Sequence, residues 1–198
     1  MSDISKTLAK TTVAIRVDGH RQTGMGHVSR MAVLATYLRD TVGVEIFFIT
    51  KDSPSALSLI RHNGFDVYVL DFEISSRSEQ IKLAEILQKR RPHLVIVDVL
   101  GCSNDNEYLG FVKTISQVPV ISFTDVHAKM QLNSVVVINS SILQMEAASC
   151  YGDNYYLGLD YCLLGSDYMQ APSVSRLSND PKLIMVCMGG VDHNNLTL

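Results

Sequence analysis

Tryptophan is absent from these 198 residues, and cysteine is scarce: Cys102, Cys150, Cys162 and Cys187 stand alone, with no Cys-x-x-Cys pair. No His-Glu-x-x-His or comparable ligand cluster appears either, so no metal is expected. Most of the four cysteines lie in or beside apolar segments, which predicts small buried side chains in a reducing compartment. There is no run of Lys and Arg and no interleaving of basic and aromatic residues, and the net charge is −3. A nucleic-acid surface is therefore not expected. No apolar run approaches the roughly 20 residues of a membrane span. Met1 to Lys10 is polar, without the apolar core of a secretory signal, so a cytoplasmic location is expected.

Hydrophobic residues make up 46% of the chain. That is enough for one domain with a well-buried core, or for one domain and the beginning of another. Apolar runs predict strands at about 12–18, 44–50, 66–70, 94–99, 119–123 and 135–138. Val, Ile and Phe dominate them with little alternation, as in strands covered on both faces. Helical patterns fill the gaps at about 27–40, 53–63, 78–91 and 105–117. Ser53-Pro54 reads as an N-cap followed by proline at the first helical position, and Pro92 stops the helix before it. This alternation predicts a doubly wound, mostly parallel, Rossmann-like α/β sheet over residues 1–165. Residues 166–181 read as a polar linker. Residues 182–198 read as the first strand and glycine turn of a second α/β domain whose remainder is missing.

The segment Gly24-Met25-Gly26-His27-Val28-Ser29-Arg30 joins the first strand to the first helix. Glycines let the backbone approach a ligand, and the free N–H groups of a helix start point at anions. The dinucleotide fingerprint fails here: Ser29 stands where its third glycine belongs, and the second strand ends in Lys51 with no acidic residue. No Gly-Lys-Ser/Thr follows for a phosphate loop of the ATPase type. His27 turns a binding loop into a candidate catalytic one, because a helix start favours the neutral imidazole that water activation needs. A lone histidine there also serves as a cap or a core hydrogen-bond partner. Asp18, Asp98 and Asp125 lie at carboxyl ends of strands, where open α/β sheets bind ligands, and so converge on His27; capping of the following loop is their plainer role. Asn139 belongs to the same rim. Gly189-Gly190 repeats the glycine logic further on, as a diphosphate cradle or a simple tight turn.

Together, Arg16-Val17-Asp18, the Gly-Met-Gly-His-Val-Ser-Arg core, Asp98, Ser122-Phe123-Thr124-Asp125, Asn139, Leu157 to Leu164 and Cys187-Met188-Gly189-Gly190-Val191-Asp192 resemble one family. It is that of the UDP-2,4-diacetamido-2,4,6-trideoxy-β-L-altropyranose hydrolases of pseudaminic acid biosynthesis, related to spore-coat polysaccharide proteins and to glycosyltransferases of the B-type fold. The resemblance implies two Rossmann-like domains with a UDP-linked sugar between them. It implies removal of UDP by water at the anomeric carbon, without metal or cofactor. It makes His27 the base and places Asp18, Gly24, Met25, Gly26, Arg30, Asp98, Asp125, Asn139, Gly189, Gly190 and Asp192 about the substrate. Gly165 departs from the arginine that often follows the Leu-Leu pair in that family. A glycosyltransferase of the same fold, or a non-catalytic domain that binds a nucleotide sugar or a protein partner, are the rival readings.

Overall fold

The computed structural model describes residues 11–20, 24–103, 105–125, 132–141, 152–169 and 185–186. Seven strands form a single sheet: β1 (Thr12–Val17), β2 (Glu45–Lys51), β3 (Asp66–Leu70), β4 (Leu94–Asp98), β5 (Val120–Phe123), β6 (Val136–Asn139) and β7 (Tyr155–Leu157). Their order is β3-β2-β1-β4-β5-β6-β7, and every neighbouring pair is parallel. The order reverses direction between β1 and β4. That switch point opens a crevice at the carboxyl ends of the two strands.

Alternation along each strand sends neighbouring side chains to opposite faces, and both faces are covered. Ile15, Phe48 and Ile96 pack with Val28, Met31, Ala35 and Ile60 of helices α1 (Gly26–Tyr37) and α2 (Pro54–His62). Ala14, Phe47, Val95 and Val97 pack on the other side with Leu83, Leu87, Leu109 and Val112 of helices α3 (Arg77–Arg90) and α4 (Asn106–Ser116). Each of the larger side chains among them, from Val to Phe, stabilises the fold by roughly 1.5–3 kcal/mol. The expected doubly wound Rossmann-like sheet is the fold.

Several local expectations change. Helix α1 runs on into a π-type turn over Leu38–Val42 and ends at Gly43, whose φ of 82° suits glycine. Ser53 does precede α2 in extended conformation, but its hydroxyl makes no capping hydrogen bond. Helix α3 is capped instead by Ser76, whose hydroxyl accepts from the Glu79 amide. The strand β7 was not expected; three residues carry too little pattern to betray it. Ser166–Met169 forms one short turn of helix (α5) at the start of the expected linker. The rest of that linker, and nearly all of residues 182–198, expected to open a second domain, lie outside the described residues. Cys102 is buried, and burial pushes its thiol pKa up, whereas Cys162 is exposed, contrary to expectation. Cys150 and Cys187 lie outside the described residues. No helix among the described residues is long and apolar enough to cross a membrane.

Candidate active site at the switch point

Strand β1 delivers the chain to Asp18 and Gly19, and the glycine loop returns it to α1. Paired backbone hydrogen bonds between His20 and Gly24 close that loop, with Gly24 at φ 107°. Gly19 is the glycine that the sequence did not single out. A Cβ built there meets Val28 Cγ2 at 2.5 Å, so a side chain would push α1 off the end of β1. Gly19→Ala is expected to destabilise the protein by about 1–3 kcal/mol, read by thermal unfolding. Gly24, by contrast, has open space for a Cβ and is held to glycine by its dihedral alone.

Met25 stands at the N-cap of α1 and no side chain caps the helix. Gly26 is exposed. The amides of the first turn have no intrahelical acceptor, the arrangement that suits a helix start to an anion.

His27 and Arg30 are three residues apart and share one face of α1. Asp98 is the last residue of β4, in register with Val17, and is fully buried. Its Oδ1 lies 2.8 Å from His27 Nδ1. Arg30 grips the same carboxylate twice, Nε to Oδ2 at 2.7 Å and Nη2 to Oδ1 at 2.5 Å. Asp125, just beyond β5, takes the third contact: Arg30 Nη1 donates to its Oδ1 at 2.6 Å. The other oxygen, Oδ2, stands 3.7 Å from His27 Nε2. Burial works against the charge of Arg30, but its hydrogen bonds to Asp98 and Asp125 outweigh this and hold its pKa above the ordinary value. Two strand ends thus contribute carboxylates to one cluster on α1, and Asp98 and Asp125 converge on His27 as expected.

Two groups reach His27 Nδ1, the Asp98 carboxylate at 2.8 Å, which only accepts, and Arg30 Nη2 at 3.0 Å, which only donates; the ring donates to Asp98 in the tautomer with its proton on Nδ1. That tautomer leaves Nε2 with its lone pair. Nε2 borders a cleft walled by Leu100, Gly101, Ser103, Thr124 and Asp125. A separate cavity of about 740 Å³ lies along the outer face of α1, between Val33, Tyr37, Leu59 and Leu164. It is mainly apolar and does not include His27.

The other rim residues are placed differently. Asp18 does not join the His27 cluster. Its carboxylate binds Arg16, with Nη2 to Oδ2 at 2.9 Å, and its Oδ1 accepts from the Lys51 amide at 2.8 Å. Arg16 is fully buried and also donates to Glu79 Oε1 from Nε at 3.4 Å and from Nη2 at 3.3 Å. Tyr108 donates to that same oxygen at 2.9 Å. Burial opposes the Arg16 charge, but Tyr108, Asp18 and Glu79 more than reverse it, and its pKa stays above the ordinary value. Asn139 ends β6, buried, with its Oδ1 accepting from the Ser141 amide at 2.9 Å. Gly189, Gly190 and Asp192 lie outside the described residues. Among the described residues, no group of three or more His, Cys, Asp or Glu is arranged to hold a metal ion.

No protein-family model matches the chain. An uncharacterized protein of Methanocaldococcus jannaschii is 29% identical over 195 residues, covering 93% of this chain and 38% of that protein. The UDP-2,4-diacetamido-2,4,6-trideoxy-beta-L-altropyranose hydrolase of Campylobacter jejuni is 29% identical over 190 residues, covering 94% of this chain and 63% of the hydrolase. The spore coat polysaccharide biosynthesis protein SpsG of Bacillus subtilis is 28% identical, covering 93% of this chain and 52% of SpsG. The chain therefore spans between about two-fifths and three-fifths of the curated relatives it matches. In structure it matches a glycosyltransferase of Rickettsia africae with a TM-score of 0.54 at 11% identity, over 75% of this chain and 42% of that one. It matches the S. aureus MnaA–UDP complex with a TM-score of 0.50 at 12% identity, over 73% and 44%. Over more than nine-tenths of its length, then, the chain is similar in sequence to a UDP-diacetamido-trideoxy-sugar hydrolase and a spore-coat polysaccharide protein, on a fold shared with a glycosyltransferase.

Proposed function

We propose that this chain carries the base-bearing half of a nucleotide-sugar hydrolase that removes UDP from a diacetamido-trideoxy hexose. The observation that supports it is the His27–Asp98 pair at the switch point, with Nε2 turned to the cleft beside Asp125. A water placed between Nε2 and Asp125 Oδ2, 3.7 Å apart, reaches both at ordinary hydrogen-bond length. One of its protons goes to Nε2 while its oxygen bonds to the anomeric carbon. The bond from that carbon to the diphosphate oxygen breaks, and its electron pair leaves with UDP. Asp98 holds the ring in place and stabilises the imidazolium that forms, while Asp125 orients the water through its second proton.

UDP is a good leaving group, so the scheme needs no general acid. The uncapped start of α1 supplies amides to the departing diphosphate. Gly189, Gly190 and Asp192 are proposed to serve the nucleotide from the second domain.

The match to a glycosyltransferase fold favours one rival, in which a sugar hydroxyl takes the place of water. Incubating the complete polypeptide with the UDP-linked sugar separates the two. Free sugar and UDP formed in equal amounts without any acceptor are the expected products; strict dependence on an added acceptor would sink hydrolysis.

A further inference from the structure

We infer that Arg30 is a positioning residue that keeps the resting imidazole of His27 unprotonated by serving as the counter-cation for both carboxylates that face it. The inference deepens the proposed hydrolysis and rests on His27 being its base. The need for such a residue follows from burial. The Asp98 side chain is fully buried, and a buried carboxylate demands a compensating cation. Among the described residues, two groups lie within reach of it: Arg30, with two hydrogen bonds, and His27, with one. If the imidazole were the cation, Nε2 would carry a proton and no lone pair would face the cleft.

Arg30 settles the competition. Its planar guanidinium reaches both oxygens of Asp98 through Nε and Nη2, and turns Nη1 to Asp125. Among the described residues, the charged groups that face the ring are Asp98 from β4, Arg30 from α1 and Asp125 from beyond β5. With a neutral ring these three sum to one negative charge, borne mainly by the half-exposed Asp125, which water screens. Nη2 also lies 3.0 Å from Nδ1, where its positive charge opposes a second one on the ring. Proton uptake is thus deferred until the water gives its proton up. Arg30 touches no reacting atom in this scheme, and its influence passes through the two carboxylates.

Nitrogen-15 NMR of the histidine ring at pH 7.5, in the full chain without substrate, tests the inference independently of any activity. The wild-type ring is expected to show one protonated and one bare nitrogen, with Nδ1 the protonated one. Arg30→Gln leaves two carboxylates and, among the described residues, no cation but the ring, so both nitrogens become protonated. Turnover by this variant of the complete protein is then low at neutral pH and recovers as pH rises. Arg30→Lys keeps a cation beside Asp98 and restores the wild-type spectrum. A doubly protonated wild-type ring overturns the inference even if no variant folds. So does an Arg30→Gln spectrum identical to wild type, or loss of activity in that variant with an unmoved pH profile, which marks a purely structural role. If the spectra behave as expected while His27→Asn still turns over, the counter-cation role stands and the hydrolytic reading falls.

Discussion

Replacing His27 by asparagine lowers kcat of the complete protein by roughly 10²–10⁴, the usual contribution of a general base, with little change in KM or thermal stability. The substitution is chosen for what it keeps. An asparagine amide retains a donor for Asp98, fills part of the ring's volume and leaves the helix start intact, but offers no lone pair with useful basicity. The side chain is about one-fifth exposed, at the cleft rather than in the core, so truncation opens no sealed cavity. If the domain only binds a nucleotide sugar, the same change alters affinity without a catalytic defect. Turnover that survives at near wild-type rate removes His27 from the role of base. Binding and rate must therefore be measured on the same preparation, by titration with UDP and by release of free sugar.

Much of this site is legible in the sequence because the fold makes its own address. Once β1, β4 and β5 are read from their Val- and Ile-rich runs, the parallel order brings their carboxyl ends together, and with them His27, Asp98 and Asp125. What the residues do to one another was less readable. Arg30, expected about the substrate, has its guanidinium engaged by two carboxylates 68 and 95 positions away, a partnership that no local pattern encodes. Gly19 was hidden for a different reason: its constraint is the close passage of α1 over the strand end, a tertiary fact with no turn signature.

Arg16 shows the limit most clearly. Within Val13-Ala14-Ile15-Arg16-Val17 an arginine breaks an apolar run, and nothing in the run says what surrounds its charge. The structure buries it completely, because Asp18, Glu79 and Tyr108 surround its guanidinium. Only Asp18 of these is a neighbour in sequence. Asp18, expected to converge on His27, is joined to Arg16 and to the amide of Lys51, and so ties the end of β1 to the end of β2.

Arg16→Met is accordingly expected to destabilise the fold by about 3–5 kcal/mol, because it strands Glu79, whose side chain is fully buried, without its cation. For a chain of this size that corresponds to a fall in Tm of roughly 6–20 °C. Tyr108→Phe removes one hydrogen bond to Glu79 and leaves the ion pair, so its cost is smaller, about 1–2 kcal/mol. Arg16→Met combined with Glu79→Gln removes the stranded charge and recovers part of the loss, so the two changes are strongly non-additive. Additive losses would mean that Arg16 and Glu79 contribute separately, by packing rather than as a pair. The consequence reaches the glycine loop, since Asp18 adjoins Gly19 and Gly19 sets the approach of α1. Loss of Arg16 therefore lowers turnover below the melting transition as well, by loosening the strand end from which His27 is presented.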